Sequence, residues 1–164
     1  PPGSTAIRAL SATHDLLTQS DWGTTPIRAV IEAELMPYAN SSEHEVELAG
    51  PRVELAPNDA LSLGLAIHEL ATNAAKFGAL SQRGGKVSIR WDMVSEGMAR
   101  LNWAESGGPP VPQKRKRGFG SDLIEKIVAH ELKTPVDLHF DNDGVRCALT
   151  VPVRQPAVFE IRRG

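Results

Sequence analysis

The chain has 164 residues, 41% of them hydrophobic, which is enough for a genuine core and excludes a disordered composition. Lys and Arg number 18 against 20 Asp and Glu, so the net charge of -2 excludes an overall basic field for nucleic acid or an anionic membrane. The single cysteine excludes an internal disulfide, no apolar run approaches membrane-spanning length, and Pro1–Pro2–Gly3–Ser4 lacks a signal-peptide pattern. One globular unit, cytoplasmic and cut from a longer protein, is the expectation.

From Ser4 to Leu17, Ile7, Leu10 and Leu17 recur at helical spacing, with Ser4 placed to cap. A second helix is predicted to open at Thr24–Thr25–Pro26, to carry Ile27, Val30, Ile31 and Leu35 on one face, and to end near Met36–Pro37. Alternation in Glu45–Leu48 and Val53–Leu55 predicts two short strands joined at Gly50–Pro51. Pro57–Asn58–Asp59 then caps a long helix that Gly78 stops. Strands Lys86–Trp91 and Met98–Trp103 should pair antiparallel across a turn at Ser95–Gly97. Glu105–Pro112 is too rich in Gly and Pro for regular structure, and the basic run Lys114–Arg117 extends that loop. A helix over about Ser121–Leu132 and strands Val136–Phe140 and Val145–Val151, turned at Asn142–Gly144, complete the pattern, with Cys147 facing inward as an inert thiol. Hairpin links among the late strands favour an α+β layering of helices over one mixed sheet.

Chemistry concentrates in the helix that ends at Gly78. Glu69, Asn73 and Lys76 fall at i, i+4 and i+7, within an arc of about 60°. Leu63, Ile67, Leu70, Ala74 and Phe77 form the neighbouring apolar stripe. Asn is a poor residue for a helix interior because its side chain competes for backbone hydrogen bonds, so its place needs a reason other than packing. Glu69 and Lys76 alone read as an exposed acid–base pair, His68 as a surface or partner-packing histidine, Trp103 as core, and Glu105 as a solvated strand end. Gly118–Phe119–Gly120–Ser121 opens a helix, where glycine lets backbone approach a ligand and unpaired N–H groups meet anions.

The order of these pieces resembles the ATP-binding boxes of histidine kinases within the GHKL group of ATPases, over about Arg8 to Pro152. It is most similar to the HWE family of sensor histidine kinases, named for a His and a Trp-x-Glu that correspond to His68, Trp103 and Glu105. The resemblance implies a Bergerat-type two-layer sandwich, a mixed sheet covered by helices on one face. Residues 1–20 would be the tail of an upstream dimerisation helix and 21–164 the catalytic domain. It implies that Asn73 and Glu69 help hold Mg²⁺, that Lys76 faces the ATP phosphates, and that Phe77 lies near adenine. Glu69 would polarise or complete the metal shell, Glu105 would accept from the adenine amino group, and Gly107 would let the chain pass the base. Gly118, Gly120 and the Ser121 amide would meet phosphates, with Arg117, Phe119 and Leu123 beside them and Pro112–Arg117 as a short lid.

His130–Glu131–Leu132–Lys133–Thr134–Pro135 imitates a phosphoacceptor box, but it follows the second glycine box and runs into a strand, so it reads as a helix end broken by Pro135. His14–Asp15 is a second imitation, in the dimerisation tail. The expected activity is transfer of the ATP γ-phosphoryl group to a histidine outside this chain, for relay to a response regulator. The upstream phosphoacceptor domain and a sensor domain would be partners, and the full protein would be a homodimer. The alternatives are a GHKL ATPase or serine kinase and a non-catalytic nucleotide-sensing scaffold. A nucleic-acid module on Lys114–Arg117 lacks a wider basic face and interleaved aromatics.

Overall fold

A computed structural model describes residues 12–13, 23–39, 42–110, 129–132, 136–141 and 143–154. Their elements in chain order are β1 (Thr25–Pro26), α1 (Ile27–Ala39), β2 (Glu45–Ala49), β3 (Glu54–Leu55), α2 (Pro57–Phe77), a 3-10 turn (Ala79–Ser81), β4 (Lys86–Ser95), β5 (Met98–Ser106), α3 (Ala129–Leu132), β6 (Val136–Asp141) and β7 (Gly144–Pro152). Of the predicted helix over 4–17 only Ala12 and Thr13 are described, and they are helical; the basic run, the Gly118–Ser121 turn and most of the 121–132 helix lie outside the described residues.

Five strands form one mixed sheet in the order β2-β4-β5-β7-β6, with β2 parallel to β4 and every other pair antiparallel. Period-2 patterning puts apolar side chains on one face in rows across the register. Ile89, Trp103, Cys147 and Leu138 make one row, and Trp91, Leu101, Leu149 and Val136 the next. The other face is polar, and Arg100 reaches Asp137 at 3.2 Å across it. α1 and α2 pack together over the apolar face, contributing Ile27, Val30, Ile31, Leu35, Leu63, Ile67 and Leu70 to a continuous core. This is the expected α+β sandwich, a mixed sheet covered on one side.

Local details differ from the sequence expectations for identifiable reasons. α1 passes through Pro37 to Ala39; Pro37 is exposed, so the Ala33 carbonyl that loses its helical donor lies where water can serve it. Pro26 belongs to β1 rather than to the first helical turn. β3 does not pair with β2 but with β1, and it also bridges to Arg154 through two backbone hydrogen bonds of 2.7 Å. α2 starts with Pro57 at its first turn and Asp59 near its positive end, but Ala56 is the N-cap and no side chain caps it. Glu105 and Ser106 belong to β5 rather than to the Gly/Pro loop. Gly64, inside α2, costs about 1 kcal/mol against Ala. It is accommodated there because a Cβ would sit 2.1 Å from Thr13 Oγ1, so the segment carrying Thr13 packs directly on the helix backbone.

Candidate functional site

The C-terminal half of α2 and the end of β5 converge. Glu69 points from α2 with 5% of its surface exposed, and its Oε1 has no hydrogen-bond partner among the described residues. Loss of water pushes the Glu69 carboxyl above the ordinary carboxylate range, while the His68 and Lys76 charges partly oppose that rise. Burial excludes the reading of Glu69 and Lys76 as an exposed pair. Asn73, one turn on, is half-buried, and Lys76 is exposed. Phe77 is 56% exposed, so it leaves the apolar stripe to which its spacing assigns it; the other four stripe residues are buried. Phe77 is the last residue of the helix, and after Gly78 the chain turns into the Ala79–Ser81 element.

Gly78 ends the helix as expected, but not through a left-handed backbone, since its φ is −118°. The reason for glycine is steric. A Cβ there would lie 2.2 Å from Glu105 Oε1, so only glycine lets the β5 carboxylate reach this turn. The Ala79 N–H donates to Glu105 Oε1 at 3.1 Å, and the Trp103 indole N–H donates to Glu105 Oε2 at 2.9 Å. Trp103 and Glu105, two apart on one strand, share the inward face, and both are buried, at 1% and 3% exposure. Glu105 is therefore not a solvated strand end. Trp103 is core, as its alternation with Leu101 predicts, and it also spends its one polar hydrogen on Glu105. Gly107 has φ +73°, a conformation in which a side chain would be strained, and its carbonyl accepts from Gln82 Nε2 at 3.2 Å. Gly108 packs against Ala79, where a Cβ would come within 2.8 Å of the backbone.

His68 is not a free surface residue. Its Nδ1 lies 3.0 Å from Glu34 Oε1 on α1, and the second oxygen of that buried carboxylate accepts from Thr13 Oγ1 at 3.0 Å. Sequence reading missed this link because 34 residues separate Glu34 from His68. The only clue was an acid at position 34 beside the apolar face of α1. Arg117, Gly118, Phe119, Gly120, Ser121 and Leu123 lie outside the described residues. Among the described residues no three His, Cys, Asp or Glu side chains gather as a metal cluster. No helix is long and apolar enough to cross a membrane.

Comparison with known proteins places this geometry in a family. The sequence model of the HWE histidine kinases matches residues 4–52. A blue-light-activated histidine kinase of Brucella anthropi is 36% identical over 153 residues, covering 92% of this chain and 31% of that protein. Its counterpart in Brucella ovis is 35% identical over 159 residues, covering 95% and 32%. The chain thus spans about a third of the length of these relatives. Among solved structures, the histidine kinase domain of the Erythrobacter litoralis EL346 blue-light-activated kinase superposes with a TM-score of 0.68 at 19% identity, over 91% of this chain and 73% of that one. The mycobacterial sensor histidine kinase MprB gives 0.61 at 22% identity, over 81% and 99%. The solved structures share the fold, and the Brucella proteins share the sequence along nearly the whole chain: it belongs to the HWE histidine kinase family.

Proposed function

We propose that this chain binds Mg-ATP along the edge formed by α2, the Gly78–Ala79 turn and the end of β5, and donates the γ-phosphoryl group to a histidine outside it. The observation that carries the reading is Glu69: a buried carboxylate oxygen without a hydrogen-bond partner among the described residues, one helical turn from the half-buried amide of Asn73. Burying a carboxylate unpaired costs several kcal/mol or forces it to take a proton, so a position kept this way calls for a bound cation or polar ligand. A carboxylate and an amide oxygen are hard donors that suit Mg²⁺, which keeps several waters and is shared with phosphate oxygens. Asn73 and Glu69 would hold it, and it would neutralise charge on the phosphates.

Lys76 would meet phosphate oxygens, and the exposed ring of Phe77 would lie near adenine. Glu105 would accept from the adenine amino group, and Gly107 would let the chain pass close to the base. Arg117, Gly118, Phe119, Gly120, Ser121 and Leu123 would supply the remaining phosphate wall. Transfer itself breaks the bond between the γ-phosphorus and its bridging oxygen as an acceptor imidazole nitrogen bonds phosphorus in line, releasing ADP. Lys76 would stabilise the charge, and Glu69 would polarise the site. The acceptor domain, a sensor domain, a response regulator and a homodimeric cytoplasmic kinase belong to the same proposal, with residues 1–20 as the tail of the acceptor helix.

Calorimetric titration of residues 1–164 with ATP, with and without Mg²⁺, tests the site. The unaltered chain should bind in a Mg²⁺-dependent way, and Asn73→Ala should weaken Mg-ATP binding at least about tenfold without changing the circular dichroism, the loss expected for one hydrogen-bonding or metal-holding group. Equal affinity in the variant overturns the site. A desolvated Glu69 would also suit activation of water, so steady phosphate release by the chain alone, abolished by Glu69→Ala, would favour an ATPase instead.

A further inference from the structure

We infer that Thr13, Glu34 and His68 are positioning residues for the nucleotide site: the Glu34 carboxylate, shared by Thr13 and His68, couples the seating of Thr13 to Mg-ATP affinity at α2. This rests on the reading of α2 as the nucleotide-binding helix, and it goes beyond it by linking that helix to a residue that cannot reach the nucleotide. The Thr13 hydroxyl donates to Glu34 Oε2 at 3.0 Å, and His68 Nδ1 lies 3.0 Å from Glu34 Oε1. Thr13 is fully buried, and the Glu34 side chain is 2% exposed. Three segments, residues 12–13, α1 and α2, thus meet at one carboxylate.

Cohesion of α1 and α2 does not require these groups. Ile27, Ile31, Leu63 and Ile67 from the two helices share one core, and an apolar substitute for a buried ionic link is often as stable or more so. What a satisfied buried network adds is a single permitted arrangement. Gly64 points the same way. It lies one turn before His68 on the same face of α2, and a Cβ there would fall 2.1 Å from Thr13 Oγ1. Glycine weakens a helix interior, and here it lets Thr13 sit against the helix backbone. One turn of α2 is therefore gripped twice, by contact at Gly64 and through Glu34 at His68. Glu69 follows His68 directly, Asn73 comes one turn later, and the Thr72 hydroxyl donates to the His68 carbonyl at 2.7 Å across that turn. A slide or rotation of α2 at the grip carries Glu69 and Asn73 with it, because a helix moves as a rigid element. Mg²⁺ demands near-ideal octahedral geometry, so its protein ligands tolerate little displacement. A grip that holds α2 in one place and a ligand that needs it there favour each other, and the coupling is reciprocal.

Calorimetric titration of residues 1–164 with Mg-ATP tests the coupling at Thr13, which packs at Gly64, about 13 Å along the helix from Asn73 and so outside direct reach of the metal. Thr13→Val keeps the volume and removes the hydroxyl; it should weaken Mg-ATP binding at least about fivefold, the lower end of a typical coupling, with an unchanged circular dichroism spectrum. Thr13→Ser keeps the hydroxyl and should bind close to the unaltered chain, a rescue that a packing role would not give. Added to His68→Leu, Thr13→Val should cause no further loss, because the link from Glu34 to α2 is then already cut. If Thr13→Val binds as the unaltered chain does, or if Thr13→Ser loses as much as Thr13→Val, the hydroxyl carries no coupling and the inference is overturned. An undiminished Thr13→Val loss in the His68→Leu background overturns it as well, since the effect then bypasses His68; where His68→Leu does not fold, the Val and Ser pair decides. If the unaltered chain shows no Mg²⁺-dependent ATP binding, the nucleotide site fails first and the inference falls with it.

Discussion

Glu69 and Asn73 carry the plainest chemistry, and Glu69 makes a prediction independent of ligand. Its carboxyl titrates above the ordinary value of 4.5 because the folded chain strips it of water. Between that value and its raised one, the folded state holds more proton than the unfolded state, so stability falls as pH rises through this window. Above the window the penalty is fully present. Glu69→Gln removes it, so urea melts of the variant should show greater stability than the unaltered chain at pH 7, with the gain shrinking toward pH 4. A gain that is the same at both pH values would show that Glu69 pays no ionisation penalty. Stability gained by deleting this acid is what a residue kept for function should give.

The link between helices is an element-scale device. α1 and α2 meet through apolar side chains, yet the Glu34–His68 contact runs among them, with the Glu34 side chain 2% exposed. Removing one partner leaves a buried polar group unsatisfied, so His68→Ala should cost about 3–5 kcal/mol, and Glu34→Ala a similar amount. The double variant should cost well under the sum, and a double-mutant cycle from urea melts should return a coupling of about 1–3 kcal/mol. Strict additivity would mean that the pair does not interact. Glu34 also takes the Thr13 hydroxyl, so the same carboxylate ties the segment before α1 to the helix bearing Asn73.

For the whole molecule, Cys147 reports cooperativity. It sits mid-sheet on β7, opposite Trp103 on one side and Leu138 on the other, and burial pushes its thiol up to about 12. At pH 8 the native thiol is neither exposed nor ionised. Labelling by iodoacetamide should therefore follow global unfolding, slowing or speeding with urea stability across the variants above. Rapid labelling of the native chain would show that the β5–β7–β6 end of the sheet opens on its own.

Local patterns in the chain determined much of this. Alternation marked β4, β5 and β7 and their inward faces, because a sheet with one covered face imposes period 2 on each strand independently. The polar edge of Glu69, Asn73 and Lys76 was legible because an acid and an amide at helical spacing contradict the stripe beside them. What only the tertiary structure decided were relations between distant segments: the parallel seat of β2 beside β4, the separate β1–β3 pair, and the exposure of Phe77 at the end of α2. The same holds for the bonds from Trp103 and Ala79 to Glu105 and from His68 to Glu34. A side chain's periodicity states which way it faces, but its hydrogen-bond partner is set by whichever element folds against it, and burial makes that choice obligatory.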